Sequence, residues 1–383
     1  MKADMNDDVF MRQAIELAMR GRGHVEPNPM VGCVIVQSGQ VVGRGWHERD
    51  GGPHAEPMAL ADAGHAAKGA TAYVTLEPCS HDWPGKKTPA CTPRLIEAKV
   101  SRVVIGCEDP NPHVDGGGVQ RLRKAGIDVQ VGVLENPCRQ LIAPFIGRLQ
   151  HSRPYVTLKW AESVEGLVAG RQGQRVQISN ADSSAAVHWL RGRCDAIAVG
   201  TNTIVNDNPT LTARTEEPPR QPTRVIFSNS LKLPADHEIF VSEGPGVLVY
   251  TSTPTGEESR QLQERGVDIV HLPAHDNGRG QTRFRMADAY RDLSERGVTH
   301  LLIEPGPKLA MDLFASNDWD RTWVIRSPKP LGVDGLAAPT PAGDATGRID
   351  IAGDVLDEYL NPASDLFFAA EPSADLRFVA SLL

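Results

Sequence analysis

Along this chain the hydrophobic positions recur with two periods, one near 3.6 and one near 2, and the switches between them outline a series of helices and strands. From Val9 to Arg20 the apolar residues Phe10, Ala14, Leu17 and Ala18 fall at helical spacing, and Gly21 and Gly23 follow as stop signals. Val31–Val36 and Gln40–Trp46 read as short strands around Ser38-Gly39, which predicts a hairpin. A helix starting at Pro57 comes next, then the strand Ala72–Leu76, the helix Thr92–Ala98 and the strand Arg102–Gly106. The helix Val119–Ala125 and the strand Asp128–Val133 complete the pattern of a sheet with helices on its faces.

Glu135–Gln150 reads as a connecting helix and linker, and a second unit opens near Arg153-Pro154 with the strand Tyr155–Lys159. The same alternation then resumes. Strands are predicted at Ala196–Gly200, Thr223–Phe227, Gly246–Tyr250, Asp268–His271, His300–Glu304 and Arg321–Ile325. Helices are predicted at Ala181–Gly192, Glu257–Arg265, Met286–Arg296 and Lys308–Ala315. Gly332–Gly353, rich in Gly, Pro and Ala, reads as a long irregular loop, and the chain closes with strands at Asp365–Ala370 and Leu376–Val379. No repeat relates the halves. The expected division is 1–148 and 153–383, both α/β.

Composition narrows the function classes. The 383 residues suffice for two ordinary domains, with 40% hydrophobic and 23% charged residues. No apolar run approaches the roughly 20 residues that span a bilayer. The polar, acidic start Met1–Asp8 lacks a signal peptide's apolar region, so no membrane partner and a cytoplasmic location are expected. A net charge of −8 without an extended basic run argues against a nucleic-acid partner. Six cysteines do not make a disulfide scaffold in a chain of this length. Cys33, Cys107, Cys138 and Cys194 lie in or beside apolar stretches and read as small buried hydrophobes.

The other two thiols belong to a chemical constellation: His54-Ala55-Glu56, then Pro78-Cys79, then Cys91. A catalytic zinc takes three protein ligands and keeps a fourth position for water, and His54, Cys79 and Cys91 supply three. Hydrolytic deamination also needs a group that carries protons without binding the metal, and Glu56 fits that role. In the common signature two residues separate the cysteines, whereas here the gap is much longer and rich in turn formers. A structural zinc site is the alternative; it wants a fourth side-chain ligand, for which His81 is the nearby candidate.

Around these residues the first half resembles a known family. Pro27-Asn28-Pro29-Met30-Val31-Gly32-Cys33 precedes Pro53-His54-Ala55-Glu56, and Thr75-Leu76-Glu77-Pro78-Cys79-Ser80-His81 and Asp109-Pro110-Asn111-Pro112 follow. Together they are similar to the deaminase domain of the bifunctional pyrimidine deaminase/reductases of riboflavin biosynthesis, over residues 10–150. The segment between the cysteines is longer here than in the usual form, which an exposed loop tolerates. The resemblance implies a cytidine-deaminase-like fold, Zn2+, and hydrolytic removal of the ring amine from 2,5-diamino-6-ribosylamino-4(3H)-pyrimidinone 5′-phosphate. It also implies that Asn28 hydrogen-bonds the ring and that His47 and His81 shape the pocket.

The second half resembles the same family's reductase domain, which is similar to dihydrofolate reductase and moves hydride from NADPH to the ribosylamino sugar. Lys159, Ser163 and Gly166 match the family pattern, as do Arg191, Thr203, Asp207, Pro209, Leu211, Arg214, Glu304, Gly306 and Pro307. The resemblance implies substrate contacts from Arg191, Leu211, Arg214 and Glu304, and NADPH contacts from Ala161, Thr203, Asp207, Asn229 and Gly306. A small phosphorylated pyrimidine and a homo-oligomer are the partners it implies.

This chain departs from that pattern at several positions. The family usually has Asp at Glu165, a small polar residue and a Trp at Arg175 and Gln177, and Asp at Asn208. Ser228-Asn229 replaces Asp-Ser, and Pro305 replaces a glycine and removes a backbone N–H beside the expected cofactor turn. The alternative reading is a deaminase alone, carrying a silent reductase fold. A deaminase of free cytosine, a nucleoside or transfer RNA, and a non-enzymatic zinc module, stand further off.

Overall fold

The structure, a computed structural model, describes residues 5–80, 88–111, 116–215, 220–254, 256–276, 282–332, 334–341, 343–368 and 372–382. The chain divides into two compact units, one of Met1–His151 with Phe368–Phe378, the other of Ser152–Phe367 with Val379–Leu383.

The first unit begins with α1 (Met5–Met19), the hairpin β1 (Gly32–Gln37) and β2 (Gln40–Trp46), and α2 (Ala55–Ala63). After β3 (Thr71–Leu76) come α3 (Cys91–Glu97), β4 (Arg102–Cys107), α4 (Gly117–Lys124), β5 (Asp128–Val131), α5 (Glu135–Leu141) and α6 (Ala143–His151). The sheet order is β2-β1-β3-β4-β5, antiparallel across β2, β1 and β3 and parallel from β3 to β5. Ser38 and Gly39 both have positive φ (50° and 78°), so the predicted turn forms where expected. The core is built from Cys33, Ile35, Ala59, Val74, Leu95, Val103, Ile105 and Leu122.

The placement of α2 depends on two strand glycines. A Cβ at Gly43 or Gly45 would stand 2.3 Å from the carbonyl oxygen of Ala59 or Ala55, so only glycine lets the helix backbone lie this close to β2. One sequence expectation changes here: α2 starts at Ala55, which puts Glu56 inside the first turn with His54 as N-cap.

The second unit is organised on nine strands in the order Asp268–His271, Val247–Thr251, Thr223–Phe227, Ala196–Gly200, His300–Ile303, Tyr155–Glu162, Arg321–Arg326, Asp354–Leu360 and Gly347–Ile351. The first seven are parallel, Asp354–Leu360 runs against them, and Gly347–Ile351 pairs antiparallel to it at the edge. Val156, Leu158, Ala198, Val225, Leu301, Ile303 and Trp319 form its core with the inner faces of the flanking helices. These strands and the helices Ala181–Arg191, Glu257–Gln263, Met286–Glu295 and Pro307–Ser316 match the sequence reading to within a few residues.

The end of the chain differs from that reading. Gly332–Gly353 is not one irregular loop: Leu336–Ala337 and Gly347–Ile351 are strands within it. Asp354–Leu360, to which the sequence reading assigns no element, is a strand as well. Its Asp357 and Glu358 are fully buried, Asp357 accepting from Arg326 and Arg348, and Glu358 from the Trp323 indole. Neither expected terminal strand forms among the described residues. The segment 365–368 is non-regular, and Leu376–Val379 lies inside the helix Ala374–Leu382. Ser373 accepts from the Leu376 N–H and so caps that helix, while Leu376 and Val379, three apart, are both buried. All six cysteines are free, buried thiols.

Candidate active sites

In the first unit the predicted ligands converge. Cys79 follows β3, Cys91 opens α3, and His54 caps α2 with its backbone while its imidazole turns to the sulfurs. His54 Nδ1 lies 3.7 Å from Cys79 Sγ and 3.3 Å from Cys91 Sγ, and one ligand atom from each residue falls within 4.8 Å of the others. Tetrahedral zinc, with Zn–S about 2.3 Å and Zn–N about 2.0–2.1 Å, sets the N···S separation at about 3.5 Å. The donor set therefore fits the metal in both chemistry and spacing.

Backbone bonds fix the sulfurs. The N–H groups of Cys91 and Thr92 donate to the Cys79 carbonyl at 3.1 and 3.0 Å, and Cys91 N–H also reaches Cys79 Sγ at 3.4 Å. The bond from Cys91 to Cys79, against the effect of burial, draws the Cys79 thiol down to about 3, and His54 adds to this. Cys91 moves the opposite way, raised by that bond and by burial. Two sulfurs that share one proton are matched to a cation.

Thr88, which sequence reasoning treated only as a turn former, faces the other side of the imidazole. Its Oγ1 lies 2.9 Å from His54 Nε2, so Nε2–H donates outward and Nδ1 keeps its lone pair for the metal. Thr88→Val is expected to weaken zinc binding on the order of 10- to 100-fold, read by competition with a chromophoric chelator, while activity returns at saturating zinc. Unchanged affinity would remove Thr88 from the site.

Glu56 is 3% exposed, and its Oε2 has no hydrogen-bonding partner among the described residues. Burial, then the Cys79 charge, raises its pKa. Next to it, the His47 ring meets the His54 ring edge-on with centroids 5.4 Å apart. His47 Nδ1 lies 2.9 Å from the Pro53 carbonyl and Nε2 lies 3.4 Å from Asn28 Nδ2. Burial lowers the His47 pKa, so the ring is neutral, donating to Pro53 and accepting from Asn28. Asn28 also donates to Asp50 at 3.0 Å.

Two further carboxyls complete this surround. Glu77 is buried and accepts from the N–H groups of Gly118, Val119 and Asp109, tying the end of β3 to α4 and to the loop after β4. Burial pushes Asp109 up to about 7, although it accepts from the Asn111 N–H. His81 and Pro112 lie outside the described residues.

In the second unit a cleft of about 1540 Å³ opens at the carboxyl ends of the parallel strands. That exceeds the usual volume for one small ligand, up to about 1,000 Å³, and leaves room for two. Nearly every reductase candidate lines it: Arg191, Arg214 and Glu304 on the substrate side of the reading, and Ala161, Thr203, Asp207, Asn229 and Gly306 on the cofactor side. Leu211 is the exception. It is buried, with φ of 52°, and does not line the cleft. Thr203 and Asp207 sit on the short helix Thr201–Asp207.

The cleft's electrostatics centre on Glu304. Arg191 grips it bidentately, Nε to Oε1 at 2.8 Å and Nη2 to Oε2 at 2.7 Å, and also donates to the Thr212 carbonyl. Burial alone would raise the carboxyl, yet Arg191 and Lys159 hold it at about 2. Lys159 is lowered by burial. His188 is lowered to about 4 by burial and then by Arg191 and Arg214, so it stays neutral and accepts from the Arg214 N–H.

The departures sort by position. Glu165 lies away from the cleft lining and accepts from Ser163 and from the Leu331 and Gly332 N–H groups, which is a loop clamp. Arg175, Gln177 and Pro305 do line the cleft, and Arg175 donates to the Asp207 carbonyl. Gly306 caps the helix Pro307–Ser316, so the proline at 305 removes one N–H just before that helix's N-terminus.

Comparison with known proteins agrees with this division. The family model for the cytidine and deoxycytidylate deaminase zinc-binding region matches residues 4–107, and that for the RibD C-terminal domain matches 154–347. The riboflavin biosynthesis protein RibD of Aquifex aeolicus is 38% identical over 331 residues, 86% of this chain and 89% of that protein. Acinetobacter baumannii RibD, form 1, superposes with a TM-score of 0.78 at 32% identity, covering 93% of this chain and 98% of that one. A diaminohydroxyphosphoribosylaminopyrimidine deaminase/5-amino-6-(5-phosphoribosylamino)uracil reductase from Thermotoga maritima gives a TM-score of 0.78 at 34% identity, covering 92% of this chain and 98% of that one.

Proposed function

The chain belongs to the RibD family of riboflavin biosynthesis proteins, and from that membership we propose which side chains carry out its two reactions. It is a bifunctional enzyme of riboflavin biosynthesis, a zinc-dependent deaminase joined to an NADPH-dependent reductase, acting on a small phosphorylated pyrimidine. Nothing favours a deaminase alone, since both family models match. The first unit removes the ring amine of 2,5-diamino-6-ribosylamino-4(3H)-pyrimidinone 5′-phosphate, and the second reduces the product's ribosyl group to ribityl.

In the first unit His54, Cys79 and Cys91 hold zinc, which when bound polarises water and lowers its pKa toward neutrality. Glu56 would carry two protons from the attacking water in succession, the first to the ring nitrogen and the second to the amine that leaves as ammonia. Burial raises the Glu56 pKa, the direction that favours a carboxyl holding and releasing a proton. Asn28, oriented by neutral His47 and by Asp50, bonds the pyrimidine edge. The observation that carries this reading is the spacing of His54 Nδ1 from the two sulfurs, 3.7 and 3.3 Å, with Glu56 buried alongside.

In the second unit bound NADPH supplies hydride. Arg191 and Arg214 hold the substrate, with its phosphate as the natural partner of a guanidinium. Glu304 fixes Arg191 and faces the sugar, and Leu211 shapes the loop between them from behind. Ala161, Thr203, Asp207, Asn229 and Gly306 receive the cofactor. A cytoplasmic location and self-association belong to the same proposal; no helix among the described residues is long and apolar enough to cross a membrane.

The test is NADPH oxidation by the zinc-loaded protein supplied with the already deaminated pyrimidine phosphate. Turnover is expected, with Gln177 and Pro305 as tolerated variations. Ammonia release from the diaminopyrimidine without any NADPH oxidation would reduce the chain to a deaminase.

A further inference from the structure

Arg22 and Asp375 are 353 positions apart in sequence and meet in the first unit. Arg22 Nε and Nη2 donate to the two carboxylate oxygens at 3.2 Å each, and both side chains are only 5% exposed. Burying two charges carries a large desolvation cost, which only good geometry offsets. A second contact fastens the same segment: the Arg139 guanidinium of α5 lies 4.6 Å from the centre of the Phe368 ring. Ser373, Ala374 and Leu376 beside Asp375 are buried.

Arg22 belongs to the loop between α1 and β1, and that loop leads to the deaminase site. The His24 and Val25 N–H groups donate to the Gly21 carbonyl, and the Asn28 N–H donates to the Val25 carbonyl. The Asp50 N–H donates to the His24 carbonyl, and Asp50 in turn accepts from the Asn28 side chain, which also reaches His47. The hydrogen-bonded chain thus runs from the residues flanking Arg22 to the amide that the proposed function sets against the pyrimidine.

We propose that Asp375, through Arg22, is a positioning residue for deamination, and that the segment Phe368–Phe378 is part of the deaminase site's support. This rests on the reading of Asn28 as a substrate contact. In it, Asp375 touches neither substrate nor metal; it fixes the loop that presents Asn28.

The experiment uses the full-length, zinc-loaded protein and measures ammonia release against diaminopyrimidine phosphate concentration. Asp375→Ala is expected to lower kcat/KM on the order of 10- to 100-fold, mainly through KM, as a small misplacement of a binding group does. Zinc content and NADPH oxidation on the deaminated substrate stay at wild-type values, and Asp375→Glu recovers most of the loss. In an Asn28→Ala background Asp375→Ala adds little, because both act through one contact. An unchanged KM in Asp375→Ala, or loss of zinc in step with activity, overturns the proposal. So does full additivity of the two substitutions. An inert Asn28→Ala instead brings down the reading of Asn28, and the proposal with it. If Asp375→Ala proves insoluble, Asp375→Asn, which keeps the shape and one acceptor oxygen, is measured in its place.

Discussion

Glu56→Gln is expected to keep zinc at wild-type content and to lose deamination on the order of 10²–10⁴-fold. The amide fills the same volume at a site that is 3% exposed and packs in the first turn of α2, so neither helix nor core should change. It also leaves His54, Cys79 and Cys91 in place, and the metal with them. What it removes is the capacity to accept and return a proton. Metal analysis and ammonia release on the same preparation separate the two properties. A substantially active variant would take Glu56 out of its role, and a zinc-free one would make it part of the metal's support.

The second large effect is expected at Glu304. Glu304→Gln removes the carboxylate that Arg191 grips and whose charge is balanced by Lys159; because the pair is 12% and 19% exposed, the loss is expected to stay below the about 3–5 kcal/mol of a fully buried pair. NADPH oxidation should fall below detection, and the second unit's melting temperature should drop. The pH dependence has a definite sign. The folded carboxyl titrates at about 2 and an ordinary one at 4.5, so its stabilisation is complete above pH 4.5 and fades as pH falls toward 2. Wild type and variant should therefore converge in stability as the pH is lowered across that interval. A constant difference would show that the pair's charge is not what stabilises the fold.

The legible parts of this molecule are those whose signals are local. The Ser38-Gly39 turn, the strands ending at Leu76 and Phe227, and the kit of His54, Glu56, Cys79 and Cys91 follow from residue type and spacing. Illegible parts depend on partners remote in sequence. Asp357 and Glu358 carry no local sign of burial; Arg326, Arg348 and Trp323 meet them from neighbouring strands. Leu376–Val379 alternates like a strand, and only the Ser373 cap decides for a helix. Thr88 gave no signal beyond its place in a turn-rich segment, since its function lies in which nitrogen of His54 it meets. Leu211 matches a family position yet is buried and does not line the cleft, so residue identity alone does not report its exposure.

The segment Phe368–Phe378 packs with the unit that begins the chain. A ribosome makes proteins from the N-terminus, and leading domains commonly fold while the rest is still being made. The bond between Arg22 and Asp375 can form only once residue 375 has been translated, after every strand of the reductase sheet has been made. The first unit therefore gains this contact late, and a message cut short between the reductase sheet and Asp375 would yield a deaminase lacking it.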